Sequence, residues 1–188
     1  RKDKVDHVIA GYQTIVNECA GKLYSLGHYL WVDEEYRKSG VGQVLYKYTI
    51  AERRIFNGVI AHIGEVNDPL LMSQQARKFD ELSGISPEGR VKFWMNQGRL
   101  AIDAPWLQPP LAEHEKEVSH LMLTIHPLTE SIESFTKEEF LCVWRAYYAP
   151  YAKYAGINIA PTYNKLLDLI GDQDTFSLIR MDQPRSFI

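Results

Sequence analysis

At 188 residues, the chain is long enough for one domain with a real core. Its 45% hydrophobic and 24% charged residues are ordinary for a globular protein, and a net charge of -3 offers no broad basic face to nucleic acid. No apolar run reaches the roughly 18 residues that cross a membrane, and the opening Arg1-Lys2-Asp3-Lys4 carries no signal-peptide pattern.

Taken in order, Val8 to Val16 is a β-rich run interrupted by Gly11. Residues 17–28 have little periodicity and read as a loop or hairpin connection. Cys19, inside that stretch, and Cys142 show neither a C-x-x-C pair nor metal-ligand spacing, so a reduced, cytoplasmic setting is expected. Tyr29-Leu30-Trp31-Val32 reads as a strand, and a charged turn leads to Arg37-Lys38-Ser39-Gly40-Val41-Gly42. Val41, Val44, Leu45, Tyr48, Ala51 and Ile55 then fall at helical spacing, and Asn57-Gly58 stops the helix. Val59 to Val66 reads as a buried strand and Leu70 to Leu82 as a helix. Pro87 opens a helix that Gly98 closes, Arg99 to Asp103 is a short strand, and Trp106 to Leu111 is irregular. Val118 to His126 alternates as a strand does. Thr136 with Glu139 is a capping box, and Pro150 should end or kink the helix it opens. Pro161 and Gly171 bracket the last helix.

The stretch from Tyr29 to Ile55 carries the chemistry. A strand that runs through a glycine-bearing turn into a helix N-terminus presents unpaired backbone N–H groups at the positive end of a helix dipole. Such a place binds phosphate. The turn lacks the third glycine of a dinucleotide fingerprint and the Gly-Lys-Ser/Thr of a P-loop.

The order Val32, then Arg37-x-x-Gly40-x-Gly42, then an amphipathic helix resembles the pyrophosphate-binding motif of the GNAT superfamily of acyl-CoA-dependent N-acyltransferases. Phe93 to Gly98, Trp106 to Leu111 and Glu65 to Pro69 look like a bacterial branch of it. The resemblance implies an α/β (α+β) fold, a central, mostly antiparallel mixed sheet flanked by helices. One domain spans 1–188, with 1–127 as the core and 128–188 as a C-terminal helical extension. Two departures stand out. Only seven residues precede Val8, where the family places a strand and one or two helices that help wall the acceptor site. Trp94 stands where members often carry a tyrosine that protonates the leaving thiolate, and Arg99 replaces an apolar residue.

The activity implied is direct transfer of an acetyl group from acetyl-CoA to a primary amine, with no metal. Backbone groups of Arg37, Lys38, Ser39, Gly40, Val41, Gly42 and Gln43 would hold the pyrophosphate, and the main chain near Val32 the pantetheine arm; Asn67 joins the cofactor set. Glu65, closing an apolar strand, is the candidate base, or else an ordinary strand-end carboxylate. Asp33, with Glu34 and Glu35, binds a cationic acceptor or is a solvated face; Trp94 lines the acyl or acceptor pocket or packs in the core. The thiolate leaves unassisted, or with Tyr36 or a water as acid. His62 reads as a core histidine, and His120 with His126 lacks a third metal ligand. Tyr147, Tyr148, Tyr151 and Tyr154 pack, or form a homodimer interface. Two alternatives stay open: a non-catalytic acyl-CoA-binding module, and a subunit completed by another chain.

Overall fold

A computed structural model describes residues 8–56, 58–129 and 132–187. The chain begins by pairing against itself. Strands β1 (Ala10–Cys19) and β2 (Lys22–Val32) form an antiparallel hairpin closed by Ala20 and Gly21, both left-handed at φ 51° and 74°. Of the loop or hairpin connection expected over residues 17–28, the structure takes the hairpin, and the stretch is almost all strand. A two-residue turn of this hand matches strand twist, and Tyr24 and Leu26 alternate into the core.

Helix α1 (Val41–Ile55) follows at the expected bounds and leads to β3 (Val59–Asn67), which pairs parallel to β2. Asn57 lies outside the described residues, while Gly58 does take a left-handed φ of 93°. Helix α2 (Gln74–Glu81) is shorter than its pattern suggests. The N–H groups of Leu71 and Met72 bond the Asp68 carbonyl in a turn, and the Ser73 hydroxyl caps the helix by accepting from the Ala76 N–H. Helix α3 (Pro87–Asn96) starts at its proline, and β4 (Leu100–Ile102) and β5 (Trp106–Gln108) follow. The Trp106 segment, read as irregular, is a strand because it pairs with β6 (Val118–Pro127). The rest is β7 (Ser134–Thr136), α4 (Lys137–Ala155), α5 (Ala160–Ile170) and β8 (Thr175–Ile179). The sheet order is β1-β2-β3-β6-β4-β8-β7, with β5 also on β6, and every pairing except β2–β3 is antiparallel. This is the mixed, mostly antiparallel sheet flanked by helices that was expected.

Successive residues of a strand face opposite sides of the sheet. Ala61 and Ile63 of β3, with Leu121, Leu123 and Ile125 of β6, pack under α4 and α5. His62 and Val66, with Met122, face the side that α1 and α3 cover. Thr136 and Glu139 make the expected reciprocal cap on α4. Pro150 does not end α4: it sits on the exposed face, and buried Tyr147 and Tyr148 hold the helix to the sheet one turn earlier. Cys19 and Cys142 are joined as a disulfide between β1 and α4, with Cα atoms 5.5 Å apart. Their separation of 123 residues hides that pairing in the sequence, which had suggested reduced thiols.

The C-terminal segment is held by a buried ion pair. Arg185 Nε donates to Asp68 Oδ2 at 2.8 Å, with side chains 1% and 0% exposed. Asp68→Ala leaves a buried cation unpaired. It is expected to cost about 3 kcal/mol, the low end for such a break, because Arg185 keeps its bonds to the Gln183 and Met181 carbonyls. A fall in the urea midpoint at unchanged slope checks this.

Candidate active site

The turn before α1 is built from local contacts. Asp33 accepts from the Glu35 N–H at 3.1 Å and so caps the single 3-10 turn Glu34–Tyr36. Lys38 (φ 64°) and Gly40 (φ 90°) reverse the chain, and Gly40 becomes the N-cap of α1 without any side-chain cap. Glycine suits that left-handed position at no steric cost. The first helical bond runs from the Val44 N–H to the Gly40 carbonyl at 3.0 Å. The N–H groups of Val41, Gly42 and Gln43 therefore lack an intrahelical acceptor, and no acidic side chain occupies the first turn. Gly42 rests on the end of β2: a Cβ there would lie 3.2 Å from Val32 Cγ2.

The Arg37 backbone N–H, expected to face the pyrophosphate, donates to the Glu34 carbonyl at 3.2 Å, and its side chain is engaged as well. Its Nε donates to the Val32 carbonyl at 3.2 Å and its Nη1 to the Ser83 carbonyl at 2.8 Å, so the guanidinium ties the turn to the α2–α3 loop. Val32 likewise has its carbonyl engaged. The Ser39 hydroxyl donates to the Tyr36 carbonyl.

Beside this turn the sheet opens. The parallel ladder runs from Leu23–Val59 to Gly27–Gly64 and stops, although β2 continues to Val32 and β3 to Asn67. The cause lies in β2. Tyr29 pairs with Gln13 and Gly27 with Thr14, so His28 is an extra, bulged residue. A bulge bends its strand and raises the local twist, and here it carries β2 away from β3. The Tyr147 hydroxyl, from α4, donates to the carbonyls of Gly27 (3.0 Å) and Ile63 (3.2 Å) at the last rung.

Glu65 is the first β3 residue past that rung. By strand alternation it follows Ile63 onto the α4 side. Its Oε1 accepts from Trp106 Nε1 at 2.5 Å and from the Tyr148 hydroxyl. Burial raises its carboxyl above the ordinary range, against the lowering effect of those two bonds. It lines a chamber of about 260 Å3 with His28, Tyr29, Gln108, Leu111 and the tyrosines 147, 148 and 151 of α4. Burial lowers the His28 pKa, keeping the ring neutral at pH 7. Burial, then the Glu65 charge, holds the Tyr147 and Tyr148 hydroxyls well above the usual phenol range. Tyr151 is pushed up to about 12 by burial and its hydrogen bond with Tyr29.

Gln108 also lines a second, larger groove of about 860 Å3, walled by Met72, Ala76, Phe79, Leu82 and Leu121. Asn67 sits in it with Nδ2 donating to Asp80 Oδ1 at 2.8 Å. Ser83, the Arg37 anchor, is at its edge. The groove and chamber thus meet at Gln108, and the groove reaches the turn's support.

Other candidates fall elsewhere. Trp94 lines neither cavity: its ring packs on the Arg99 guanidinium (4.7 Å) and edge-on to Tyr46 (5.0 Å), contacts that fit the packing reading of the two left open. Arg99 is buried and donates to Tyr46 Oη at 2.9 Å and Thr124 Oγ1 at 2.6 Å. Tyr36 lines neither cavity. His62 is fully buried between the Tyr12 hydroxyl and Ser25 Oγ. Among the described residues, no three His, Cys, Asp or Glu side chains form a metal-holding group. Sequence reasoning missed His28, Tyr29, Gln108, Leu111, Tyr147, Tyr148 and Tyr151. The tyrosines of α4 were visible as a helix-spaced stripe, but nothing local said which strand they face.

The buried histidines make stability pH-dependent. Burial and the Arg99 charge push His126 down to about 4 and hold His62 well below the ordinary value of 6.5. Their folded pKa values are depressed, so the unfolded chain binds more protons over that window. Stability is full above about pH 6.5 and is lost as pH falls toward 4. A thermal midpoint that drops across pH 6.5 to 4, with a shallower drop in His126→Asn, is the expected result.

No family model matches the chain, and no curated protein matches it. Solved structures do match. The chain is similar to a protein assigned to the GNAT acetyltransferase family from Bacteroides thetaiotaomicron, with 12% identity and a TM-score of 0.52, covering 80% of this chain and 68% of that one. It is also similar to an aminoglycoside 6'-N-acetyltransferase complexed with coenzyme A, with 15% identity and a TM-score of 0.46, covering 69% of this chain and 71% of that one. At these identities the first likeness is one of fold.

Proposed function

We propose, on the premise that the chain has the GNAT acetyltransferase fold, that it transfers an acetyl group from acetyl-CoA to a primary amine by direct displacement. The observation that carries this reading is the opened sheet. An uncapped helix N-terminus stands on one side of the gap and a carboxylate in a tyrosine-lined chamber on the other. The fit to a diphosphate rests on the N–H groups of Val41, Gly42 and Gln43, which lack helical acceptors and face no acidic residue in the first turn.

The chemistry needs a neutral amine, because an ammonium has no lone pair. Glu65 takes the proton, its affinity raised by burial. The amine nitrogen bonds to the thioester carbonyl carbon, and the carbon–sulfur bond breaks. Tyr148, already hydrogen-bonded to Glu65 Oε1, passes a proton to the thiolate and regains one from the Glu65 carboxyl. The net transfer runs from the Glu65 carboxyl to the thiolate. This relay replaces the acid that Trp94 cannot supply, as the indole N–H donates hydrogen bonds but has negligible acidity.

The test is a calorimetric titration of the folded chain with acetyl-CoA. Micromolar affinity, followed by thiol release on adding an amine, is expected. A folded chain that does not bind acetyl-CoA overturns the reading.

A further inference from the structure

The chamber's lining narrows the acceptor. Among the described residues the chamber is lined by one carboxylate, Glu65, and by no lysine or arginine. Four tyrosines, Tyr29, Tyr147, Tyr148 and Tyr151, make up half of its lining residues, with Leu111 and a His28 ring 5.0 Å from that of Tyr147. Aromatic faces attract cations, the more so where water is excluded. A carboxylate brought into the same space meets the Glu65 charge at short range with no cation to compensate it, and like charges in a poorly solvated site repel strongly. The space of about 260 Å3 also lies just under the roughly 300–1,000 Å3 of drug-sized pockets.

We infer that the acceptor is a small primary amine bearing no carboxylate, an ammonium on a short aliphatic or single-ring body, and that α-amino acids are excluded. This rests on the proposed acyl transfer. The amine enters as a cation held by the tyrosine rings and gives its proton to Glu65. Gln108, where chamber and groove meet, is the neutral position at which a cation would change the preference.

The test compares phenethylamine with phenylalanine, which differ by the carboxylate alone. Both are titrated calorimetrically and assayed for thiol release with acetyl-CoA. Ionisation by itself favours the amino acid, whose ammonium is the stronger acid. The expected result is binding of phenethylamine, with kcat/KM at least ten-fold above that for phenylalanine. Gln108→Arg, which supplies a carboxylate partner, should shrink that ratio at least five-fold. Equal or better use of phenylalanine by the unaltered chain overturns the inference and leaves acyl transfer standing. So does acetyl-CoA binding with no binding of phenethylamine. Failure to bind acetyl-CoA overturns the underlying reading instead.

Discussion

Gly42→Trp is expected to weaken acetyl-CoA binding at least 100-fold. The Gly42 position rests on Val32, where a Cβ would already lie 3.2 Å from Cγ2. The indole cannot enter the strand end, so it must turn over the N–H groups of Val41, Gly42 and Gln43, which are the proposed diphosphate donors. Main-chain binding depends on close approach, and a side chain there denies it whatever its polarity. Calorimetry reads the affinity, and thermal unfolding shows whether the fold survives. Gln43→Glu is the milder companion. It places an anion in the exposed first turn of α1, favourable to the helix dipole and adverse to a diphosphate. The expected loss is roughly ten-fold, about 1.4 kcal/mol, with no loss of stability. Unchanged affinity in both variants would show that the turn only shapes the chain.

Glu65→Gln is expected to lower turnover by about 10²- to 10⁴-fold, the span usual for a general base, and to leave acetyl-CoA affinity intact. Glutamine can still accept from Trp106 and Tyr148, so the chamber keeps its shape. The pH profile separates a base from a shape effect. Burial raises the Glu65 carboxyl, so in the unaltered chain activity climbs as pH passes that raised value and the carboxylate form appears. The variant should lose this limb and become active only at higher pH, where the amine sheds its proton to water without the base. An unaltered lower limb would remove Glu65 as the base.

Local features were legible because a few adjacent residues determine them. The strand end at Val32, the turn through Gly40 and the bounds of α1 follow from apolar spacing and glycine placement. The capping box of Thr136 and Glu139 needs four consecutive residues. Glu65 was legible as a carboxylate ending an apolar strand. The three-residue β7 and the five-residue β8 were not, since such short runs carry no usable period.

What the sequence by itself determined is thus the phosphate-type turn, its helix, most of the sheet's strands and one carboxylate beside them. Tertiary structure alone decided what surrounds that carboxylate. Tyr148 lies 83 residues from Glu65 and Trp106 lies 41 away, and their hydrogen bonds exist only because α4 and β5 close over the end of β3. The bulge at His28 is visible only against the register of β1, and the disulfide only once Cys19 and Cys142 meet. Trp94 illustrates the same point: the sequence left it as pocket wall or core, and only the fold shows its ring on Arg99. Periodicity states that a residue faces one side of its element, but not which element covers that side. That is settled by how the faces pack, and packing is a property of the whole chain.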